Sequence, residues 1–299
     1  MLIGLCGGIC AGKHAVARYL IEKHNFSTLN LAPSINAPVP SLDQSTRQKY
    51  NYKRAKSQDE LHKAKDKSFS TVDELLEFVT KEWYKYWVLT DIWDEKVLDA
   101  LARRPFFLLI SVDAPVMLRW ERFRISCEEA PPSLEQFVLW DDYYLFDSLS
   151  GLAKLIDRAT VRLVNSSTSL SAFHDAIDEL DLTSEQRLRP SWDQYFMQLA
   201  SLAAQRSNCM KRRVGCVLIR EKRVISTGYN GTPRNLRNCN EGGCPRCNGG
   251  QGAGQGLSTC LCIHAEENAL LEAGRERIRE GSILYCDTYD SSFFGSVRV

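Results

Sequence analysis

His264 and Glu266 stand two residues apart in Cys262-Ile263-His264-Ala265-Glu266-Glu267-Asn268-Ala269-Leu270-Leu271. Together they could do chemistry: an imidazole nitrogen binds a metal ion, and a carboxylate beside it moves protons without entering the metal's shell. Ala265, Ala269, Leu270 and Ala273 continue as helix formers with apolar spacing, and Gly274 offers a C-terminal stop. The spacing predicts a helix with His264 and Glu266 on its first turn. Five cysteines crowd the stretch just before it: Cys239, Cys244, Cys247, Cys260 and Cys262. Cys239-x4-Cys244-x2-Cys247 with Cys260 and Cys262 supplies enough thiolates for a structural zinc ion, which would clamp the glycine-rich stretch from Gly249 to Gly256. Cys6, Cys10, Cys127, Cys209, Cys216 and Cys286 are scattered, and read as small apolar core residues.

Composition limits what surrounds this chemistry. The 299 residues leave room for about two domains. The 38 Lys and Arg offset the 37 Asp and Glu to leave a net charge of +1. No global field then argues for nucleic acid or an anionic membrane as a partner, and any nucleotide site must be local. No run reaches the roughly 18 apolar residues of a membrane span, and Met1 to Cys6 lacks the charged flank and length of a signal peptide. The expected location is the cytoplasm, or the nucleus as well. Eleven cysteines without an export signal are not expected to form a disulfide framework.

The N-terminal half alternates apolar runs with helical patterns. Leu2 to Cys6 reads as a strand, Gly7-Gly8-Ile9-Cys10-Ala11-Gly12-Lys13-His14 as a glycine loop, and Ala15, Val16, Tyr19 and Leu20 as a helix. G-x-x-x-x-G-K is the P-loop pattern, in which backbone N–H groups wrap a phosphate and the lysine reaches the outer phosphates. His14 stands where a Ser or Thr hydroxyl would hold Mg²⁺, so the expectation is a degenerate nucleotide fold. Residues 32 to 70 read as an exposed helix or loop, lysine-rich and partly disordered. A helix with Thr71 as its N-cap is predicted from Thr71 to Tyr86, strands at 87–91 and 106–113, a helix between them at 95–103, a strand at 160–165 and a helix at 170–180. Buried strands alternating with helices make a parallel sheet. Asp113-Ala114-Pro115 followed by Arg119 and Arg122 resembles the small P-loop kinases of the nucleoside monophosphate and dephospho-coenzyme A kinase kind, over roughly residues 1 to 175. The resemblance implies that both arginines face phosphate.

A boundary is expected within Thr183 to Pro190. This gives a P-loop kinase-like domain over 1–183 and a second α/β/α domain over 190–299. Ser191 and Gln194 form a capping box before the apolar stripe Trp192, Tyr195, Phe196, Leu199, Leu202 and Ala203. Residues 214–219 and 223–228 read as a hairpin, and Tyr229-Asn230-Gly231-Thr232-Pro233 as a turn-rich loop. A last strand runs from Ser282 to Cys286.

With Gly228-Tyr229-Asn230-Gly231, the segment Arg206 to Cys216, the cysteine segment Asn238 to Cys247, and Cys260 to Gly274 in one unit, the chain resembles the deoxycytidylate (dCMP) deaminase family, of the fungal type with a kinase-like N-terminal half. The resemblance spans about residues 190 to 288. It implies the cytidine deaminase fold, with a sheet sandwiched by helices, and zinc-dependent hydrolysis of dCMP to dUMP in pyrimidine deoxynucleotide and dTMP biosynthesis. It further implies His264 as the first zinc ligand and Glu266 as the proton donor and acceptor. Asn230 would lie against the nucleotide's sugar and base. A homo-oligomer with dCTP and dTTP as effectors belongs to the same implication. Lys211, Arg212 and Arg213 could neutralise the 5′-phosphate, or be no more than a solvated charge run.

The family's Pro-Cys-x-x-Cys after the strand ending near Cys286 is missing here, where the chain reads Cys286-Asp287-Thr288-Tyr289-Asp290-Ser291-Ser292-Phe293-Phe294. The expectation is a deaminase domain truncated after Thr288 and inactive as written. Two other readings stand beside it: a nucleotide-binding or kinase-like protein acting through Lys13, and a regulatory or interaction protein stabilised by a structural zinc.

Overall fold

Leu2–Cys6 (β1) is apolar at every position and buried at every position, as a strand must be when both faces of its sheet are covered. The computed structural model describes residues 1–32, 67–90, 92–127, 131–148, 151–252, 254–287 and 296–298, and divides into two units, Met1–Arg189 and Pro190–Val299.

In the first unit β1 is followed by Lys13–His24 (α1), Ser27–Leu31 (β2), Lys67–Phe69 (β3), Val72–Lys81 (α2), Trp87–Leu89 (β4) and Glu95–Ala102 (α3). Phe107–Asp113 (β5), Val116–Ile125 (α4), Leu134–Phe146 (α5), Ala153–Asp157 (α6), Val161–Val164 (β6) and Leu170–Leu180 (α7) complete it. The six strands are parallel and lie in the order β3-β2-β4-β1-β5-β6. Alternation along β1 sends Ile3 and Leu5 into one core with Val16, Leu20, Phe173 and Ile177. It sends Leu2 and Cys6 into another with Leu75, Leu98, Phe137 and Tyr144. The parallel α/β sheet expected from the sequence is therefore present.

Thr71 caps α2 in a full capping box with Glu74, but the helix stops at Lys81 and not near Tyr86. Trp83, at helical spacing from Val79, is exposed, as are Tyr84 and Tyr86. Most of the lysine-rich segment, residues 33–66, lies outside the described residues. Its end, Lys67–Phe69, is a strand pairing with β2 where a loop or helix was expected, because three edge residues are too few to show a period. The strand expected at 87–91 ends at Leu89, with residue 91 outside the described residues, and the one expected at 160–165 loses its polar ends Thr160 and Asn165.

The second unit opens with Trp192–Ala204 (α8), held at its start by the predicted Ser191–Gln194 capping box. Gly215–Arg220 (β7) and Arg223–Tyr229 (β8) form the expected hairpin. Its turn residues Glu221 and Lys222 both have positive φ, 51° and 61°, the two-residue geometry whose twist matches that of the strands. Pro245–Asn248 (α9), Ala265–Ala273 (α10), Ile283–Cys286 (β9) and Ser296–Arg298 (β10) follow, and the antiparallel order is β10-β9-β7-β8. The deaminase domain was expected to be truncated after Thr288. Ser296–Arg298 instead pairs with β9, Val297 opposite Leu284.

Val217 and Ile219 of β7 meet Phe196 and Ala200 of α8 on one face, while Cys216 and Leu218 meet Ala265, Ala269 and Ala273 of α10 on the other. Both helices come close enough to need glycine beneath them. A Cβ on Gly215 would lie 2.1 Å from the Ala204 nitrogen, and one on Gly228 would lie 2.1 Å from the Ala265 oxygen and 2.3 Å from the Ala269 nitrogen. Cys216 and Cys286, read from sequence as separate small apolar residues, are directly opposed on β7 and β9 and form a disulfide. Registry is the reason: a sequence separation of 70 hides from the sequence that they are neighbours.

Gly228→Ala drives a methyl group into helix backbone. It should destabilise this unit by about 1–3 kcal/mol or more, read as a lower thermal unfolding midpoint, and an unchanged midpoint would show that α10 can retreat without cost.

Candidate functional site

The N-terminal end of α10 is tied down by main chain and side chain before any functional group is considered. Ile263 and Gly231 pair as an isolated antiparallel bridge, with Ile263 N–H donating to Gly231 O at 2.9 Å and Gly231 N–H to Ile263 O at 3.3 Å. Asn230, 8% exposed, accepts at Oδ1 from the Ala265 N–H (2.8 Å) and donates from Nδ2 to Arg212 O (3.2 Å). One carboxamide thus satisfies an otherwise orphaned helix N–H and joins α10 to the segment leading into β7. Further along, Asn268 Nδ2 donates to Tyr229 O (2.9 Å) and the buried Ser226 hydroxyl donates to Ala269 O (2.7 Å).

Within that frame His264 is the N-cap residue of α10, exposed and making no side-chain cap bond, and Glu266 is half-buried on the first turn. Glu266 Oε2 is buried and has no hydrogen-bond partner. A carboxylate oxygen in that condition costs stability, and the positive end of the helix dipole offsets part of the cost. The structure therefore brings His264, Glu266 and Asn230 to one helix end, although Asn230, expected against a sugar and base, is held by protein backbone at both ends of its amide. Lys211 donates to the carbonyls of Gln251 and of Gly252, the latter at 3.0 Å, so it is spent on the glycine-rich loop. Arg212 and Arg213 are exposed.

Zinc needs about three protein ligands to form a catalytic site. Among the described residues His264 belongs to none of the three groups whose ligand atoms lie within 4.8 Å of one another. The group nearest to it in function, Cys216, Glu266 and Cys286, has its two sulfurs joined to each other and offers no thiolate. The described residues do not complete a ligand set around His264.

The cysteine-rich segment is different. Cys209, Cys239, Cys247 and Cys262 form one group of four sulfurs, and Cys244, Cys247, Cys260 and Cys262 another. Cys209, grouped by sequence with the scattered cysteines, belongs here. The signal was its place in Asn208-Cys209-Met210-Lys211, whose neighbour Asn208 bonds to Asn238 across 30 residues (3.0 Å). Burial opposes charge on Cys244, but the N–H groups of Cys247, Leu261 and Cys262 outweigh it and bring its thiol down to about 6. Burial and neighbouring thiols push Cys247 and Cys262 well up.

In the first unit the glycine loop is engaged with its own side chains. Lys13 Nζ donates to the carbonyls of Gly7 and Gly8, both at 2.9 Å. Arg119, expected to face phosphate, is instead buried in a bidentate pair with Asp141 (Nη2 to Oδ2 2.8 Å) and also donates to Ala114 O. Arg122, with the same expectation, donates to the carbonyls of Cys10, Ala11, Asn165 and Ser167. Their guanidinium groups hold the fold together, a use that charge and spacing cannot distinguish from phosphate binding.

Residues 190–290 match the family model described as the cytidine and deoxycytidylate deaminase zinc-binding region. The chain is 44% identical to deoxycytidylate deaminase from Schizosaccharomyces pombe over 286 residues, 96% of this chain and 83% of that one. It is 47% identical to deoxycytidylate deaminase from Saccharomyces cerevisiae over 229 residues, 72% of this chain and 71% of the other. A crystal structure of dCMP deaminase from cyanophage S-TIM5 in complex with dCMP and dUMP is 28% identical, with a TM-score of 0.26 over 33% of this chain and 65% of that chain.

Asn230→Ala leaves the Ala265 N–H and the Arg212 carbonyl without their partner, at about 1–3 kcal/mol for each group that stays buried. Urea unfolding should show the loss, and Asn230→Asp, which keeps the acceptor, should recover part of it. Equal stability of all three proteins would remove Asn230 from this role.

Proposed function

Because the chain belongs to the deoxycytidylate deaminase family, we propose that its chemistry is the hydrolytic deamination of dCMP to dUMP at the N-terminal end of α10, with Glu266 as the proton-handling residue. The observation that carries this is the buried, unpartnered Oε2 of Glu266. A polar atom kept dry and unbonded in the folded chain is one held ready for a proton that arrives with substrate.

The reaction adds water at C4 of the cytosine ring and releases the exocyclic nitrogen as ammonia. Some group must take a proton from the attacking water, and protons must reach ring N3 and the departing nitrogen. A single carboxylate can do all three in turn if it sits beside C4 and is not locked in an ion pair. Glu266 meets the second condition. Asn230 sets the helix end on which Glu266 stands and keeps one N–H and one lone pair beyond its two backbone bonds, which a sugar hydroxyl or base edge can use. Zinc, when bound, supplies an activated water at neutral pH. His264 would be one of its ligands.

The thiolate-rich segment before α10 holds a structural zinc in this reading, supported by its grouped sulfurs. Residues 190–299 then act as the deaminase domain. Residues 1–183 act as a degenerate P-loop kinase-like domain, supported by the engagement of Lys13 and Arg119 within it. Effector binding by dCTP and dTTP and homo-oligomer formation rest on the family alone. No helix among the described residues is long and apolar enough to cross a membrane, and a cytoplasmic or nuclear location completes the reading.

The test is conversion of dCMP to dUMP by the 299-residue protein with zinc, beside a version carrying Cys-Pro-Cys-x-x-Cys after Thr288. Only the second is expected to turn over, and Glu266→Gln in it should cost about a hundredfold to ten-thousandfold in kcat. Turnover that survives Glu266→Gln assigns the proton transfers to another group.

A further inference from the structure

The two groups of four cysteines share two members, Cys247 and Cys262. Six sulfurs therefore make two complete four-ligand sets, and a single ion can use only one of them. We propose that Cys209, Cys239, Cys244, Cys247, Cys260 and Cys262 bind two zinc ions as one binuclear thiolate centre in which Cys247 and Cys262 bridge. This rests on the structural-zinc reading above and deepens it from one ion to two.

Distances agree with this sharing. A tetrahedral zinc with Zn–S bonds of about 2.3 Å sets its sulfurs about 3.8 Å apart. Cys209 and Cys247 lie 3.7 Å apart, an edge of the first tetrahedron, and Cys244 and Cys260 lie 3.9 Å apart, an edge of the second. Cys247 and Cys262, the edge common to both, are 3.9 Å apart.

The N–H donors divide the sulfurs in the same way. Cys239 Sγ receives the Met210 N–H (3.4 Å), Cys244 Sγ the Leu261 N–H (3.3 Å), and Cys260 Sγ the Arg246 guanidinium (3.7 Å). A terminal thiolate has lone pairs to spare for such donors, which orient it and offset its charge. A bridging thiolate gives its lone pairs to two ions. Among the described residues no N–H is directed at Cys247 or Cys262. Six thiolates and two Zn²⁺ leave a net charge of −2, and the Arg246 guanidinium stands against it.

The segment also needs such a centre. Between the Gly231 bridge and α10, its described residues form only α9, four residues long, and two single turns of 3₁₀ helix. Its large apolar residues Leu236, Leu257 and Leu261 are exposed, while Cys239 and Cys244 are fully buried. Thiolates, not apolar side chains, form the interior, so metal binding and folding of this segment are coupled. Cys262 lies two residues before His264, and the centre thereby anchors the start of α10.

The test is metal stoichiometry and cadmium NMR on the reduced full chain carrying His264→Ala, so that no ion is held at His264. With zinc alone, native mass spectrometry should find two ions per chain. With isotopically labelled cadmium, two resonances in the all-sulfur range should be coupled to each other through the shared sulfurs. One ion and one resonance would overturn the binuclear centre and leave the single structural zinc standing. Two uncoupled resonances would replace bridging with separate sites. No bound ion would overturn both readings.

Discussion

A contact with no room in it governs the second unit. At Gly228 the carbonyl of Ala265 and the amide of Ala269 lie where any side chain would begin, so α10 lies directly on β8. That closeness demands the small residues Ala265, Ala269 and Ala273 along the buried face of the helix. It also brings the strand's hydrogen-bonding groups within reach of the helix. Ser226 meets Ala269 O, Asn268 meets Tyr229 O, and Asn230 meets the first N–H of α10. His264 and Glu266 are thus placed by packing that involves neither of them, and the Glu266 carboxylate can keep an unpartnered oxygen because its position is set elsewhere.

The sequence was most legible where one local rule decided the outcome. The Ser191–Gln194 box, the Thr71 cap, the helix beginning after His264 and the hairpin turn all depend on residues within a few positions of one another. α5 carries the same signature in its Ser133–Gln136 capping box, yet it was not among the predicted helices. Phe137, Asp141 and Tyr144 follow it at helical spacing. Legibility failed where the deciding partner was distant. Arg119 reads as a phosphate ligand until Asp141 is seen beside it, Cys209 reads as isolated until Cys247 is, and Cys216 reads as a core residue until β9 brings Cys286 against it.

In the candidate site the pair His264 and Glu266 could be read at once, because helix periodicity puts them at one end. The role of Asn230 could not. Its place in a Gly-Tyr-Asn-Gly turn suggested contact with a nucleotide, whereas its amide spans Arg212 and Ala265. The two uses are compatible, since a carboxamide has capacity for four hydrogen bonds. In the N-terminal unit the glycine loop keeps the spacing of a phosphate site, yet its lysine donates to the loop's own carbonyls.

Deamination beside Glu266 requires the nucleotide to bind at the start of α10. Hydrogen exchange of the backbone amides, followed with and without dCMP, measures this directly. Slower exchange at residues 228–231 and 263–267, with the amides of 7–13 unchanged, is the predicted result. Protection confined to the glycine loop, or none at the helix end at saturating dCMP, would contradict it.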